Sequence, residues 1–205
     1  MEQLLGFDTN LLVAINSCNS PVADKVMLFF SSIPVWIPLY LLIAALAFFP
    51  KWWGSGSFVA QTLRGSLPMW MIGISVIIAA AINFGLCDQL SLLLKESIER
   101  PRPGFNPDLQ GVIRLIDGVG SPFGFVSGHA ASTFGLATLT SLMFKRIPYS
   151  VLIFLWATTV GYSRIYLGRH YPLDVICGAL LGIVIALSIY NIWKYSMKRY
   201  EMHIR

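Results

Sequence analysis

The chain has 205 residues, of which 56% are hydrophobic and 12% charged, against about 25% charged in an ordinary soluble domain. That balance excludes a disordered chain, a collagen, a coiled coil and a typical water-soluble enzyme. The net charge of +5 is dispersed among apolar runs rather than gathered into a stripe, so the expected partner is a membrane and not nucleic acid.

A bilayer core about 30 Å thick is crossed by roughly 20 apolar residues in a helix. Met1 to Asn10 holds Glu2 and Asp8 and no basic stretch, unlike a signal peptide. Leu11 to Ser20 is too short to span and reads as an interfacial helix or a re-entrant turn ended by Pro21; residues 1–25 together are expected to form an interfacial or short N-terminal helix. Five apolar runs follow, at Val26 to Phe49, Leu67 to Cys87, Val126 to Phe144, Pro148 to Ser163 and Tyr171 to Trp193. The third and fourth are short. Small residues such as Ser127, Gly128, Ala130, Ala131 and Gly135, and the Gly178–Gly182 pair in the last run, suit helices that pack closely. The expected fold is all-α, a polytopic membrane helix bundle of five to six transmembrane helices. No repeat or linker divides the chain, so residues 1–205 are expected to be one domain, with a motif core at 95–174 and a basic cytoplasmic tail at 194–205.

The three cysteines, Cys18, Cys87 and Cys177, are odd in number and scattered, and read as free, buried thiols. If the runs alternate in direction, one membrane face collects Lys51, Arg64, Lys145, Arg146, Lys194, Lys198, Arg199 and Arg205 against the single acid Glu201. By the positive-inside rule that face is cytoplasmic, and the loops at 95–121 and 164–170 face outward.

Those outer segments hold the residues with chemistry to offer. His170 and Asp174 are four apart, so on a helix they share a face, and the carboxylate can take one imidazole N–H and leave the other nitrogen free as a nucleophile or base. Ser127 precedes an apolar run and can cap its helix, aiming the N–H groups of Gly128 and His129 at an anion. Lys95, Arg102 and Arg164 add three cations suited to phosphate oxygens. Singly, each has a bland reading: a cation snorkelling to headgroups, a plain helix cap, a structural His–Asp hydrogen bond. Jointly they describe an anion site with a histidine on each side, costly to place in a membrane without a function. Arg100 and Arg169 lie nearby, outside these patterns, and either bind a second phosphate or a headgroup or simply face water. The segment 102–124 alternates apolar residues with Asp108, Arg114 and Asp117, and either lies on the membrane surface as a gate for lipid or packs as an ordinary loop.

With these residues in place the sequence resembles the type 2 phosphatidic acid phosphatases, or lipid phosphate phosphatases. Their motifs are Lys, six residues, Arg-Pro; Pro-Ser-Gly-His; and Ser-Arg, five residues, His, three residues, Asp. The chain matches the first at Lys95, Arg102 and Pro103, and the third at Ser163, Arg164, His170 and Asp174. It matches the second at Ser127, Gly128 and His129, with Val126 in place of the proline. The resemblance implies that His170, oriented by Asp174, attacks phosphorus to form a phosphohistidine. His129 would protonate the leaving oxygen and then activate water. Lys95, Arg102, Arg164, Ser127 and the amide of Gly128 would hold the phosphate oxygens. It also implies no metal and no cofactor, a six-helix fold where five runs are counted here, and an active site at the outer, periplasmic face of a bacterial plasma membrane. The implied substrates are lipid phosphates: undecaprenyl pyrophosphate, phosphatidylglycerophosphate, phosphatidic acid or lipid A phosphate. The alternatives are a vanadate-dependent haloperoxidase, against which the apolar runs weigh, a lipid phosphotransferase using the same histidine, and a non-catalytic membrane binding protein or channel. Oligomeric state is not legible in the sequence.

Overall fold

Prolines and small polar residues mark where the helices begin. In the computed structural model, which describes residues 2–63 and 67–204, α1 (Glu2–Ser17) is followed by α2 (Pro21–Ser31). The Ser20 side chain caps α2 by accepting the Ala23 N–H at 3.1 Å, with Pro21 in its first turn. A 3₁₀ turn at Ile33–Trp36 leads into α3 (Ile37–Ala47), then α4 (Met69–Ile98), α5 (Gly128–Phe144), α6 (Ile147–Tyr166) and α7 (Pro172–Ile204). Ser127 caps α5, its Oγ accepting the Ala130 N–H at 3.4 Å. Glu99 and Lys145 end α4 and α5 in the left-handed conformation. Among the described residues there is no strand, only a single antiparallel bridge, Pro101 with Phe123.

Among the described residues two helices are long and apolar enough to cross a membrane by themselves, Met69–Ile98 and Pro172–His203, with mean hydropathies of 2.1 and 2.3. The expected single run from Val26 to Phe49 is instead broken: Pro21–Ser31 and Ile33–Ala47 meet at 68°. Pro34 sits at the break, where its missing N–H and its restriction on Ile33 disfavour a continuous helix. The N-terminal segment is one helix of 16 residues rather than a short piece beginning at Leu11. Arg64 and Arg205, counted above among the positive charges of one face, lie outside the described residues.

The bundle is built around α5, which packs most extensively on α7 and then on α6 and α4. Glycines make that contact possible. A Cβ at Gly178 would meet the Ser127 carbonyl oxygen and one at Gly182 the carbonyl of Ala131, so α7 lies backbone against backbone on the start of α5. The outer surfaces of the helices are apolar: Ile74, Ile78, Ile82, Val151, Leu152, Leu155, Leu180 and Val184 are all exposed. A water-soluble protein would bury such side chains, whereas a lipid-facing surface requires them.

Antiparallel connectivity gives the bundle two chemically different ends. At one end meet the C-termini of α4 and α6 and the N-termini of α5 and α7, bearing Lys95, Arg164, Ser127 and Asp174. About 24 Å away along α5, Phe144 packs with Trp52, Trp53 and Tyr149. There the guanidinium of Arg146 lies 5.7 Å from the Trp52 ring and Lys194 sits 5.7 Å from Phe58. An aromatic and basic girdle of this kind suits a membrane interface.

Candidate active site

Backbone hydrogen bonds bring the three motifs together. The Ser127 N–H donates to the Asp174 carbonyl at 2.9 Å, joining the start of α5 to the start of α7. The Arg102 N–H donates to Pro122 O at 2.8 Å and the Gly124 N–H to Arg100 O at 2.9 Å, tying the first motif to the strip that leads into Ser127. The turn between α6 and α7 closes on Gly168, whose φ of +74° a side chain would strain. The N–H groups of Arg169 and His170 then both donate to Arg164 O.

The result is a cavity of about 250 Å³ whose walls include Lys95, Arg102, Gly128, His129, Arg164, Arg169 and His170. Six of these come from the three motifs, and Arg169 is the seventh. His170 is buried, with 2% of its surface exposed, while His129 is half-buried on the first turn of α5. Burial pushes the His170 imidazole down to about 4 from its ordinary 6.5, against the upward pull of Asp174. His170 is therefore neutral near pH 7, with a lone pair available.

The cations are held by contacts that leave them facing the cavity. Arg102 donates from Nε to Phe123 O at 3.1 Å and from Nη2 to Ser121 Oγ at 3.0 Å. Arg164 donates from Nη1 to the Ser31 hydroxyl and, at 3.3 Å, to Asp117 Oδ2. Arg169 donates to the carbonyls of Asp117 and Gly118 at 2.8 and 2.9 Å. The Nε atoms of Arg164 and Arg169 are buried without a hydrogen-bond partner among the described residues. Arg169 Nε nevertheless faces Asp117 Oδ2 as an ion pair at 3.8 Å, whereas the buried Arg164 Nε is a donor that an anion in the cavity would complete.

Other expected residues take different places. Ser127 is fully buried behind the wall, its hydroxyl engaged as the α5 cap. His170 precedes α7 instead of lying on it, yet the spacing still brings it to Asp174: Nδ1 is 3.5 Å from Asp174 Oδ2, and Nδ1 makes no hydrogen bond in this geometry. Asp174 Oδ2 accepts the Tyr171 N–H at 3.1 Å, as an acid in the first turn of a helix does. Its Oδ1 accepts from Arg100 at 2.6 Å. Arg100 thus points behind the site, not into the cavity. Sequence reasoning overlooked Asp8, Ser31, Asp88 and Asp117; Asp88 joins the cavity wall from α4, seven residues before Lys95 and so on the same helical face. Asp8 had one legible signal, an acid inside an apolar helix.

A second, larger cavity of about 390 Å³ adjoins the first, sharing Ile33, Tyr40, Phe84, Ser132 and Thr133 as walls, and is otherwise lined mainly by apolar residues of α3, α4, α5 and α6. Its one carboxamide is Asn83. The segment 102–124 packs down: Asn16 donates to Arg114 O and accepts the Arg114 N–H, at 2.9 and 2.7 Å. Leu109 is buried against Leu12, while Phe105, Val112 and Val119 stay exposed.

Residues 68–198 match the family model described as the PAP2 superfamily. A lipid A 4'-phosphatase from Bacteroides thetaiotaomicron is 32% identical over 186 residues, covering 89% of this chain and 75% of its own. The crystal structure of Aquifex aeolicus LpxE is similar with a TM-score of 0.64 at 25% identity, over 89% of this chain and 94% of that one. A transmembrane PAP2-type phosphatidylglycerolphosphate phosphatase from Bacillus subtilis shares the fold with a TM-score of 0.65 at 23% identity, over 94% of this chain and 87% of that one.

Proposed function

The chain belongs to the PAP2 superfamily, and from that premise we propose that it is an integral-membrane phosphatase that removes phosphate from a lipid through a phosphohistidine on His170. The observation that carries the reading is the cavity shared by His129, His170, Lys95, Arg102 and Arg164, opening beside an apolar cavity large enough for part of a lipid chain.

In the first step the Nε2 lone pair of neutral His170 forms a bond to phosphorus as the bond from phosphorus to the lipid oxygen breaks. His129, which enters this step as the imidazolium paired with the bound phosphate anion, gives that oxygen its proton. In the second step water attacks phosphorus, passes its proton to His129, and the N–P bond breaks to release inorganic phosphate and restore both histidines. Lys95, Arg102 and Arg164 hold the non-bridging oxygens with the Gly128 amide. Ser127 supports them by fixing the start of α5, so that positioning and preorganised charge supply most of the acceleration. The cavity's charge comes from side-chain cations, which serve the role a metal would otherwise fill, so the reaction needs none.

Among the lipid phosphates considered, the phosphate monoester of a lipid A-type glycolipid ranks first, on the likeness to the Bacteroides lipid A 4'-phosphatase over most of both chains. Undecaprenyl pyrophosphate, phosphatidylglycerophosphate and phosphatidic acid remain in the panel to be tested. The basic, aromatic end of the bundle supports a cytoplasmic assignment for that end, with the site on the outer face of a bacterial plasma membrane. The test is phosphate release by purified protein from this panel, with chelator present and His170→Ala as control. The expected result is chelator-resistant release that the substitution abolishes. Release that requires an added divalent cation, or that survives His170→Ala, would overturn the mechanism, and transfer of phosphate to a second lipid without release would make the protein a phosphotransferase.

A further inference from the structure

The partner that Asp174 holds most closely is Arg100, not His170. Asp174 Oδ1 accepts from Arg100 Nη1 at 2.6 Å, and Arg100 Nη2 donates in turn to Asp8 Oδ2 at 2.6 Å. The other oxygen of Asp8 accepts the Leu173 N–H at 2.9 Å, satisfying a free amide in the first turn of α7. Asp8 is 1% exposed and Asp174 is wholly buried, while the Arg100 guanidinium also covers the Tyr171 ring at 4.1 Å. Buried carboxylates are tolerated only when paired and hydrogen-bonded, and here one guanidinium serves two of them.

We propose that Asp8 and Arg100 are positioning residues for Asp174, and that α1 is therefore part of the catalytic unit. The inference rests on reading His170 as the nucleophile. Arg100 fixes the rotation of the Asp174 carboxylate, so that Oδ2 stays toward the Tyr171 N–H and His170 Nδ1. Alone, the guanidinium would also neutralise Asp174. Asp8 offsets that by sharing the positive charge, and the row Asp8, Arg100, Asp174 keeps a net negative charge behind His170. That charge is useful when Nε2 bonds to phosphorus, because the imidazole then becomes cationic and Nδ1–H needs a carboxylate.

Asp8→Asn separates this role from simple support of the fold, because it retains an oxygen for the Leu173 N–H and replaces only the oxygen that accepts from Arg100, removing that hydrogen bond together with the charge. Turnover of a short-chain phosphatidic acid in mixed micelles should show kcat lowered about tenfold with KM within about twofold, the scale of one charge-assisted hydrogen bond acting at the chemical step. An unchanged kcat in folded Asp8→Asn overturns the proposal, as does a rise in KM alone. Should that variant fail to fold, Arg100→Ala assayed with millimolar guanidinium is the second reading. Recovery of kcat by the free cation supports the positioning role, and no recovery in a folded protein refutes it. The two readings fail separately: His170→Ala that remains active would remove the nucleophile itself, whereas an inactive His170→Ala beside a fully active Asp8→Asn would remove only the positioning pair.

Discussion

At the scale of single residues, the two histidines reach the cavity from different elements, His129 from the first turn of α5 and His170 from the turn before α7. His170 is buried and held neutral, which preserves a nucleophile. His129 stands half-buried on the first turn of α5 at the wall of the cavity, where a leaving oxygen and then a water can reach it. His129→Ala should therefore slow release from an alkyl lipid phosphate by about 10²- to 10⁴-fold, the usual worth of a general acid, and slow p-nitrophenyl phosphate far less because that leaving group needs no proton. Paired kcat measurements on the two substrates check this, and equal losses would assign His129 to binding instead. That Lys95, Arg102, Arg164, His129 and His170 belong together was legible from their residue types and motif spacings, and the structure brings all five to one cavity. The destination of Arg100 was not. Its partner Asp8 lies 92 residues away, and no local pattern links an acid in the first helix to a guanidinium beyond the fourth.

At the scale of elements, the site depends on how closely α7 approaches α5. The Gly178–Gly182 pair signalled a close helix contact in the sequence, and the structure supplies its partner, the carbonyls of Ser127 and Ala131. Gly182→Ala would drive a methyl group into backbone that cannot yield as a flexible side chain would, and should cost about 1–3 kcal/mol, the usual penalty for overpacking. Gly85→Ala on α4 is the matched control: nothing lies within 4 Å of its Cβ, and alanine is the better helix former. Thermal unfolding in detergent should show a lowered midpoint for the first variant and an unchanged or raised one for the second. The break between α2 and α3 was less legible. Hydropathy registers Val26 to Phe49 as one apolar run, and the 68° bend costs no apolar character. Only Pro34 and Pro38 hinted at it, and the Ser31 hydroxyl it delivers to Arg164 shows what the bend achieves.

At the scale of the whole molecule, the separation of the end that bears the cavity from a basic, aromatic end predicts a topology. Cys18 is exposed just beyond α1, on the end that bears the site, whereas Lys198 lies near the far end of α7. A membrane-impermeant maleimide added to intact cells should label Cys18 in the parent protein, and should label Lys198→Cys in a Cys18→Ser background only after the membrane is permeabilised. The reverse pattern would place the site on the cytoplasmic face.

The sequence by itself determined that the chain is helical and membrane-embedded, and singled out the motif side chains that line one cavity, because hydropathy, helix caps and motif spacing are local properties. Tertiary structure decided where the chain bends, which cations face the cavity and which lie behind it, and that an acid from the first helix completes the charge arrangement around Asp174. Those outcomes follow from contacts between residues far apart in the chain, where burial turns a charge from a surface group into one that must find a partner.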